Sequence, residues 1–253
     1  MPEIKQKYSQ LFNNYNCEQK EILYNAISEF FSENKRQLLD QNIQNRTKHL
    51  TLVMEDIFQS QNASAVLRTA DCFGIQDVHI IENQYEYTLN PDVALGSSKW
   101  VNYYRYNKKD ENNTLRAYND LRKKGYKIIA TLPHENDVML QDLDISQPIA
   151  LVFGTEKTGL SETAIKNADG FVKIPMYGFT ESFNISVSAA LCSFYLTEKI
   201  RNTNGLDWKL PAEQQIEQKL YWARQIVREA DKIMKKIAED MNLPPLFNST
   251  DRS

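Results

Sequence analysis

Cysteine and histidine are scarce in this chain. Its three cysteines, Cys17, Cys72 and Cys192, are scattered and odd in number, which argues against a disulfide framework and a CxxC metal knuckle. Its three histidines, His49, His79 and His134, are equally scattered, so no His/Cys zinc site is expected. Apolar runs are only a few residues long, far short of a bilayer span. The N-terminal stretch "MPEIKQKYSQLFNNYN" lacks an apolar signal core, and the expectation is a soluble, cytoplasmic protein. The usual phosphate loops are missing. There is no G-x-G-x-x-G after a strand and no G-x-x-x-x-G-K-[ST], so a nucleotide-type ligand is not held in the ordinary Rossmann manner. Neither a G-x-S-x-G elbow nor an H-E-x-x-H helix appears. A strong positive charge is absent too. The net charge of −3 argues against a generally basic nucleic-acid coat but leaves room for a local basic face.

What is present is an ordinary globular composition, 42% hydrophobic and 25% charged over 253 residues, enough for one sizeable domain with appendages. From Leu50 onward, strands and helices alternate. "LTLVMED", "DVHIIEN", "YKIIATL", "PIALVFG" and "GFVKIPM" read as strands. "NASAVLRTADCFG", "NTLRAYNDLRKKG", "SETAIKNA" and "NISVSAALCSFYLTEKI" read as helices, the first two stopping at Gly74 and Gly125. The alternation predicts an α/β domain with a mostly parallel sheet over residues 50–201. Residues 1–49 carry a helical spacing through Ile22, Leu23, Ala26, Ile27, Phe30 and Phe31. They form a helical extension, either a partner-binding or RNA-positioning appendage or a helical pair covering the next domain. Residues 202–253 comprise a polar linker, one long helix from about 212 to 240, and a tail.

In open α/β sheets, ligands sit beyond the C-terminal strand ends. Asn62 and Arg68 follow the first strand, Thr131 follows "YKIIA", and Gly154 to Ser161 follow "PIALVF". After "FVKIPM" comes "YGFTESFNISVSAAL", in which Ser182, Asn184, Ser186 and Ser188 alternate with apolar residues. Taken alone, such a serine-rich stretch reads equally as helix capping. Asn62 likewise suits a helix N-cap, Arg68 a surface or salt-bridged helix residue, and Glu156 a solvated loop carboxylate.

Three segments in order change that balance. "NASAVLRTAD" (62–71), "LVFGTEKTGLSE" (151–162) and "IPMYGFTESFNISVSAAL" (174–191) resemble the three motifs of the SpoU/TrmH family of SPOUT RNA 2′-O-ribose methyltransferases. "LGSSKWV" (95–101) is similar to a further family element, and the C-terminal segment resembles the extension of its tRNA-acting members. The resemblance covers about residues 50–200. It implies a sheet whose C-terminal part is tied in a trefoil knot, a homodimer, and S-adenosylmethionine as cofactor. Thr131, Gly154, Ile174, Met176 and Phe183 match cofactor-contacting positions, although many relatives have Leu where Phe183 stands. Ser182 and Asn184 match the methyl-transfer site, Asn62 shapes it, and Glu156 braces the catalytic loop or Arg68. Arg68 is assigned to hold the RNA phosphate and ease ionisation of the ribose 2′-hydroxyl. Its free pKa lies far above neutrality, which favours electrostatic positioning over proton abstraction. Aligning the reacting oxygen, methyl carbon and sulfur is worth about 7–11 kcal/mol. The implied activity is 2′-O-methylation of a guanosine ribose in the tRNA D-loop. A ribosomal RNA target and a catalytically silent RNA-binding factor are the alternatives.

Residues 101–131 are the most basic part of the chain. Arg105, Lys108, Lys109, Arg116, Arg122, Lys123, Lys124 and Lys127 face only three acids, with Tyr103, Tyr104 and Tyr106 interleaved. Phosphate contact and a solvated helix face are both consistent with this pattern.

Overall fold

A computed structural model describes residues 12–132, 138–155 and 158–246. The chain divides into two compact units: Thr47–Trp208, and the residues up to Arg46 together with those from Lys209 onward.

The first unit is built on a seven-stranded parallel sheet of order β3-β2-β1-β6-β4-β7-β5. Its strands are β1 (Leu50–Glu55), β2 (Asp77–Ile81), β3 (Asn102–Tyr106), β4 (Lys127–Thr131), β5 (Val138–Met139), β6 (Ile149–Phe153) and β7 (Gly170–Lys173). Successive strand residues point to opposite faces, and both faces are covered here. One face sets Leu50, Leu52 and Met54 of β1 beside Ile149, Leu151 and Phe153 of β6, under Val66, Leu67, Ala189 and Leu196. The other sets Val53, Ala150, Val152, Ile128 and Ala130 against Ala117, Tyr118, Leu121 and Ala164. Continuous apolar runs such as "IALVF" follow from burial on both faces; the register Leu52↔Leu151, Val53↔Val152 keeps like faces together.

The helices that sandwich the sheet are α3 (Ser60–Cys72), the short α4 (Pro91–Ala94), α5 (Asn113–Lys123), α6 (Glu162–Lys166) and α7 (Ile185–Asn202). Gly74 and Gly125 end α3 and α5 with φ of 72° and 84°, left-handed conformations that glycine adopts without a Cβ penalty. Strand β3 falls in the tract read as basic, and periodicity did not mark it. The last residues of this unit, read as a linker, are docked: Leu206 and Trp208 pack on the core, and Thr47 Oγ1 donates to the Trp208 carbonyl at 2.6 Å.

The second unit consists of α1 (Cys17–Ser28), α2 (Glu33–Ile43), α8 (Ala212–Ile226) and α9 (Ala230–Asp240). The N- and C-terminal extensions thus pack together as one helical body rather than standing as separate appendages. Buried Lys20 of α1 reaches Glu213 and Glu217 of α8 at 3.0 and 2.7 Å, and Trp222 lies fully buried beneath the Arg46 guanidinium. The single long helix expected over 212–240 is broken. Val227 turns extended and Glu229 takes φ 60°, so α9 begins anew and packs on both α1 and α8. A straight helix would carry that apolar stripe away from α1. Among the described residues no helix is long and apolar enough to cross a membrane.

Candidate active site

The C-terminal ends of β6, β4 and β7, neighbours in the sheet, open into one cavity of about 320 Å³. Thr131 ends β4 and lines the cavity, and its hydroxyl donates to the Val152 carbonyl of β6 at 2.8 Å, fixing the strand end. Phe153, Gly154 and Thr155 leave β6, and the loop returns on itself. Thr155 and Gly159 exchange backbone hydrogen bonds of 3.0 and 3.1 Å, which brings Gly159 and Leu160 to the wall. Gly154 is required there: a Cβ would sit 2.3 Å from the Gly159 carbonyl carbon. From β7 the chain adds Ile174 and Met176, then Glu181, Ser182 and Phe183. Helix α7 closes the floor with Ile185, Ser188 and Cys192, spaced three and four residues apart on one helix face. Burial pushes the Cys192 thiol up to about 12, so it stays a neutral, unreactive floor group at neutral pH.

The expected cofactor positions Thr131, Gly154, Ile174, Met176 and Phe183 all line this cavity, together with Ser182. Asn184 stands at its edge as the N-cap of α7. Its Oδ1 accepts from Ser186 N–H at 2.8 Å and Ser186 Oγ at 2.6 Å, while its Nδ2 donates to Asn62 Oδ1 at 3.3 Å. Capping and site geometry are therefore one arrangement: the cap aims the amide at Asn62. Asn62 is not itself an N-cap. Gln59 holds that place, and Asn62 is buried in the first turn of α3.

Arg68 lies on another face of α3 and is exposed; it is not among the cavity's lining residues. With Ala65, Thr69 and Cys72 it forms a stripe along α3. Ala65 and Thr69 border a shallow groove completed by Val187, Ala190, Leu191 and Phe194 of α7. Glu156 lies outside the described residues.

The sequence reading missed Leu132, Lys173, Glu181 and the α7 floor. The floor carried a signal, the helical spacing of Ile185, Ser188 and Cys192. The basic tract is mostly engaged within the fold. Arg105 forks onto Glu82 at 2.6 and 2.8 Å, Lys108 and Arg116 meet Glu111, and Arg122 meets Asp169. Lys124 lies over the Tyr104 ring at 4.7 Å. No cluster able to hold a metal ion occurs among the described residues.

The cavity lining is largely apolar, with Lys173 and Glu181 as its charged members. Apolar side chains and exposed loop backbone flank a slot of the size that small cofactors occupy, with the Glu181 carboxylate at its edge. A slot beyond the strand ends of a parallel α/β sheet is where this class of fold binds its small ligands. Residues 49–194 match the SpoU rRNA Methylase family, and the chain belongs to that family. It is 42% identical over 203 residues to a tRNA (guanosine(18)-2′-O)-methyltransferase of Borreliella burgdorferi, covering 80% of this chain and 90% of the relative. To the protein of the same name from Escherichia coli K12 it is 32% identical over 64% of this chain and 68% of the relative. The crystal structure of the A. aeolicus TrmH/SpoU tRNA modifying enzyme superposes with a TM-score of 0.58 at 25% identity, covering 84% of this chain and 98% of that one.

Proposed function

We propose that this protein transfers the methyl group of S-adenosylmethionine to the ribose 2′-oxygen of guanosine 18 in the D-loop of tRNA. The observation that carries the reading is the meeting of the cavity at the β4, β6 and β7 ends with the Asn184–Asn62 contact, in a chain so similar to a tRNA (guanosine(18)-2′-O)-methyltransferase. S-adenosylmethionine would supply a methyl group on a sulfonium centre, already activated for displacement. Ile174, Met176, Phe183 and the Gly154 loop hold the adenosyl part, and the backbone of 174–178 reads the base edge. Ser182 and Asn184 orient the ribose, with Asn62 fixing the Asn184 amide. Arg68 holds a phosphate and stabilises negative charge developing on the 2′-oxygen as its proton passes to solvent, which needs no deprotonated guanidine, and the thioether S-adenosylhomocysteine would be the leaving group.

The enzyme acts as a cytoplasmic homodimer in this reading. The α3/α7 groove, with Val187, Leu191 and Phe194 exposed on it, is the face that a second copy covers. Arg68 shares that face of α3, so pairing would carry it to the partner's cavity. The segment running from β7 through residues 174–184 into α7 is the part tied as a trefoil knot. Residues 1–49 and 202–253 serve as extensions that help seat the tRNA.

The test is methyl transfer from labelled S-adenosylmethionine to unmodified tRNA and ribosomal RNA transcripts, by the protein and by Arg68→Ala. The expected product is 2′-O-methylguanosine in tRNA, lost in Arg68→Ala while cofactor binding persists. Label only in ribosomal RNA moves the target. Cofactor binding without transfer to any RNA indicates a silent RNA-binding factor.

A further inference from the structure

We infer that Glu55 is a positioning residue for the cofactor: a buried carboxylate that fixes the exit of the cavity-forming loop. The inference rests on the S-adenosylmethionine reading above. Glu55 ends β1 and is 1% exposed. It does not line the cavity. Its two oxygens accept three hydrogen bonds. Ser161 N–H donates to Oε2 at 2.9 Å, Ser161 Oγ to Oε1 at 2.8 Å, and Thr114 Oγ1 to Oε1 at 2.5 Å. Among the described residues no cation pairs with it in a salt bridge.

A buried charge with only neutral donors is a costly element for stability alone, which an apolar side chain would serve at less risk. Its placement suggests what else it does. Ser161 directly follows Leu160, and on the other side the Thr155–Gly159 backbone pair ties Gly159 to the end of β6. The other end is pinned at Ser161. There the hydroxyl also accepts from Ala164 N–H at 3.1 Å to start α6. The wall formed by Gly159 and Leu160 is thus held between β6 and the Glu55 carboxylate. A Cβ on Gly154 would lie 2.3 Å from the Gly159 carbonyl carbon, so this wall is closely packed against the end of β6. Loss of the carboxylate frees the exit and lets the wall move against the bound adenosyl group. Thr114, whose hydroxyl shares Oε1 with Ser161 Oγ, belongs to α5 and accepts from Asn83 Nδ2 at 2.9 Å. Its hydrogen bonds run to Asn83 and Glu55 and not to the described loop residues, and so it provides an internal control.

The experiment measures S-adenosylmethionine affinity by calorimetry, KM and kcat on tRNA, and the melting temperature, for the full-length protein. The variants are Glu55→Gln, Glu55→Met and Thr114→Val. Met removes both acceptors, whereas Gln keeps one. The expected result is a graded loss of cofactor affinity, about threefold for Glu55→Gln and tenfold or more for Glu55→Met, carried by KM for S-adenosylmethionine with kcat nearly unchanged. Thr114→Val lowers the melting temperature as much as Glu55→Gln does, yet keeps affinity within about twofold of wild type. If Glu55→Met does not fold, the Gln and Val pair decides. Equal affinity loss in Glu55→Gln and Thr114→Val, or wild-type affinity in Glu55→Gln, overturns the positioning role. A wild-type protein that binds no S-adenosylmethionine overturns the cofactor reading as well, which separates the two failures.

Discussion

At Gly154 the loop backbone passes so close to Gly159 and Leu160 that the smallest side chain has no place: its Cβ would meet backbone atoms at 2.3, 2.4 and 2.5 Å. Backbone cannot step aside as a flexible side chain can. Gly154→Ala is therefore expected to shift the loop by an ångström or so and to cost methyl transfer roughly a hundredfold or more. Calorimetry with S-adenosylmethionine checks that the loss begins at binding. A second residue governs pH dependence. His79 of β2 is fully buried, stacked on Tyr104 and Tyr106 with centroids at 4.8 and 5.8 Å, and its Nδ1 meets Tyr106 Oη at 3.1 Å. Burial above all, with the nearby Lys124 charge next, pushes its imidazole down to about 3. The unfolded chain takes up that proton near the ordinary pKa of about 6.5, and the folded chain does not. His79 thus stabilises the fold fully above about 6.5, and the contribution drains away as pH falls toward about 3, at up to about 1.4 kcal/mol per pH unit. Urea titrations of the wild type and His79→Gln between pH 7 and 5.5, above the titration range of most carboxylates, should show the steeper decline in the wild type. Parallel declines would remove His79 from the account.

Among the elements, the junction between α8 and α9 carries local backbone strain. Glu229 holds φ 60° without being glycine. A left-handed conformation costs an ordinary residue about 1–2 kcal/mol, and glycine adopts it freely. Glu229→Gly is expected to stabilise the protein by roughly 0.5–1 kcal/mol once the entropy of the unfolded glycine is offset. A lowered melting temperature would show that the Glu229–Lys232 pair matters more than the strain. This junction also shows where sequence reading stops. "QIVREADKI" has no Gly or Pro and continues an apolar stripe, so nothing local marks the break; it is set by packing against α1. Strands buried on both faces were legible as apolar runs, and helix ends at Gly74 and Gly125 as glycines with positive φ. The cavity wall was legible where a residue type is tied to backbone chemistry, as at Gly154, or where the family motif names it, as at Ser182 and Phe183. Glu55 was not, because a carboxylate at a strand end looks like any solvated one until Ser161 and Thr114 are brought to it from 106 and 59 residues away. For the basic tract of 101–131 the sequence left phosphate contact and a solvated face both open, because Glu82 and Asp169, which take up Arg105 and Arg122, lie outside the window.

For the whole molecule, helix α7 is apolar on two faces. Ile185, Ala189, Cys192 and Leu196 face the sheet, while Val187, Leu191 and Phe194 remain exposed beside α3. A single copy leaves that second face open, and the proposed homodimer covers it. Leu191→Glu with Phe194→Glu is expected to give a folded monomer by sedimentation, with unchanged circular dichroism and methyl transfer at background. A dimer that survives the pair of charges would place the subunit contact elsewhere. The central claim is that the methyl group goes to one ribose oxygen of one tRNA nucleotide. The most direct measurement compares two unmodified tRNA transcripts that differ only at guanosine 18, one with ribose and one with 2′-deoxyribose there. The account predicts stoichiometric label and 2′-O-methylguanosine at position 18 in the first and none in the second. Equal methylation of both would contradict it, because the acceptor would then be some other atom.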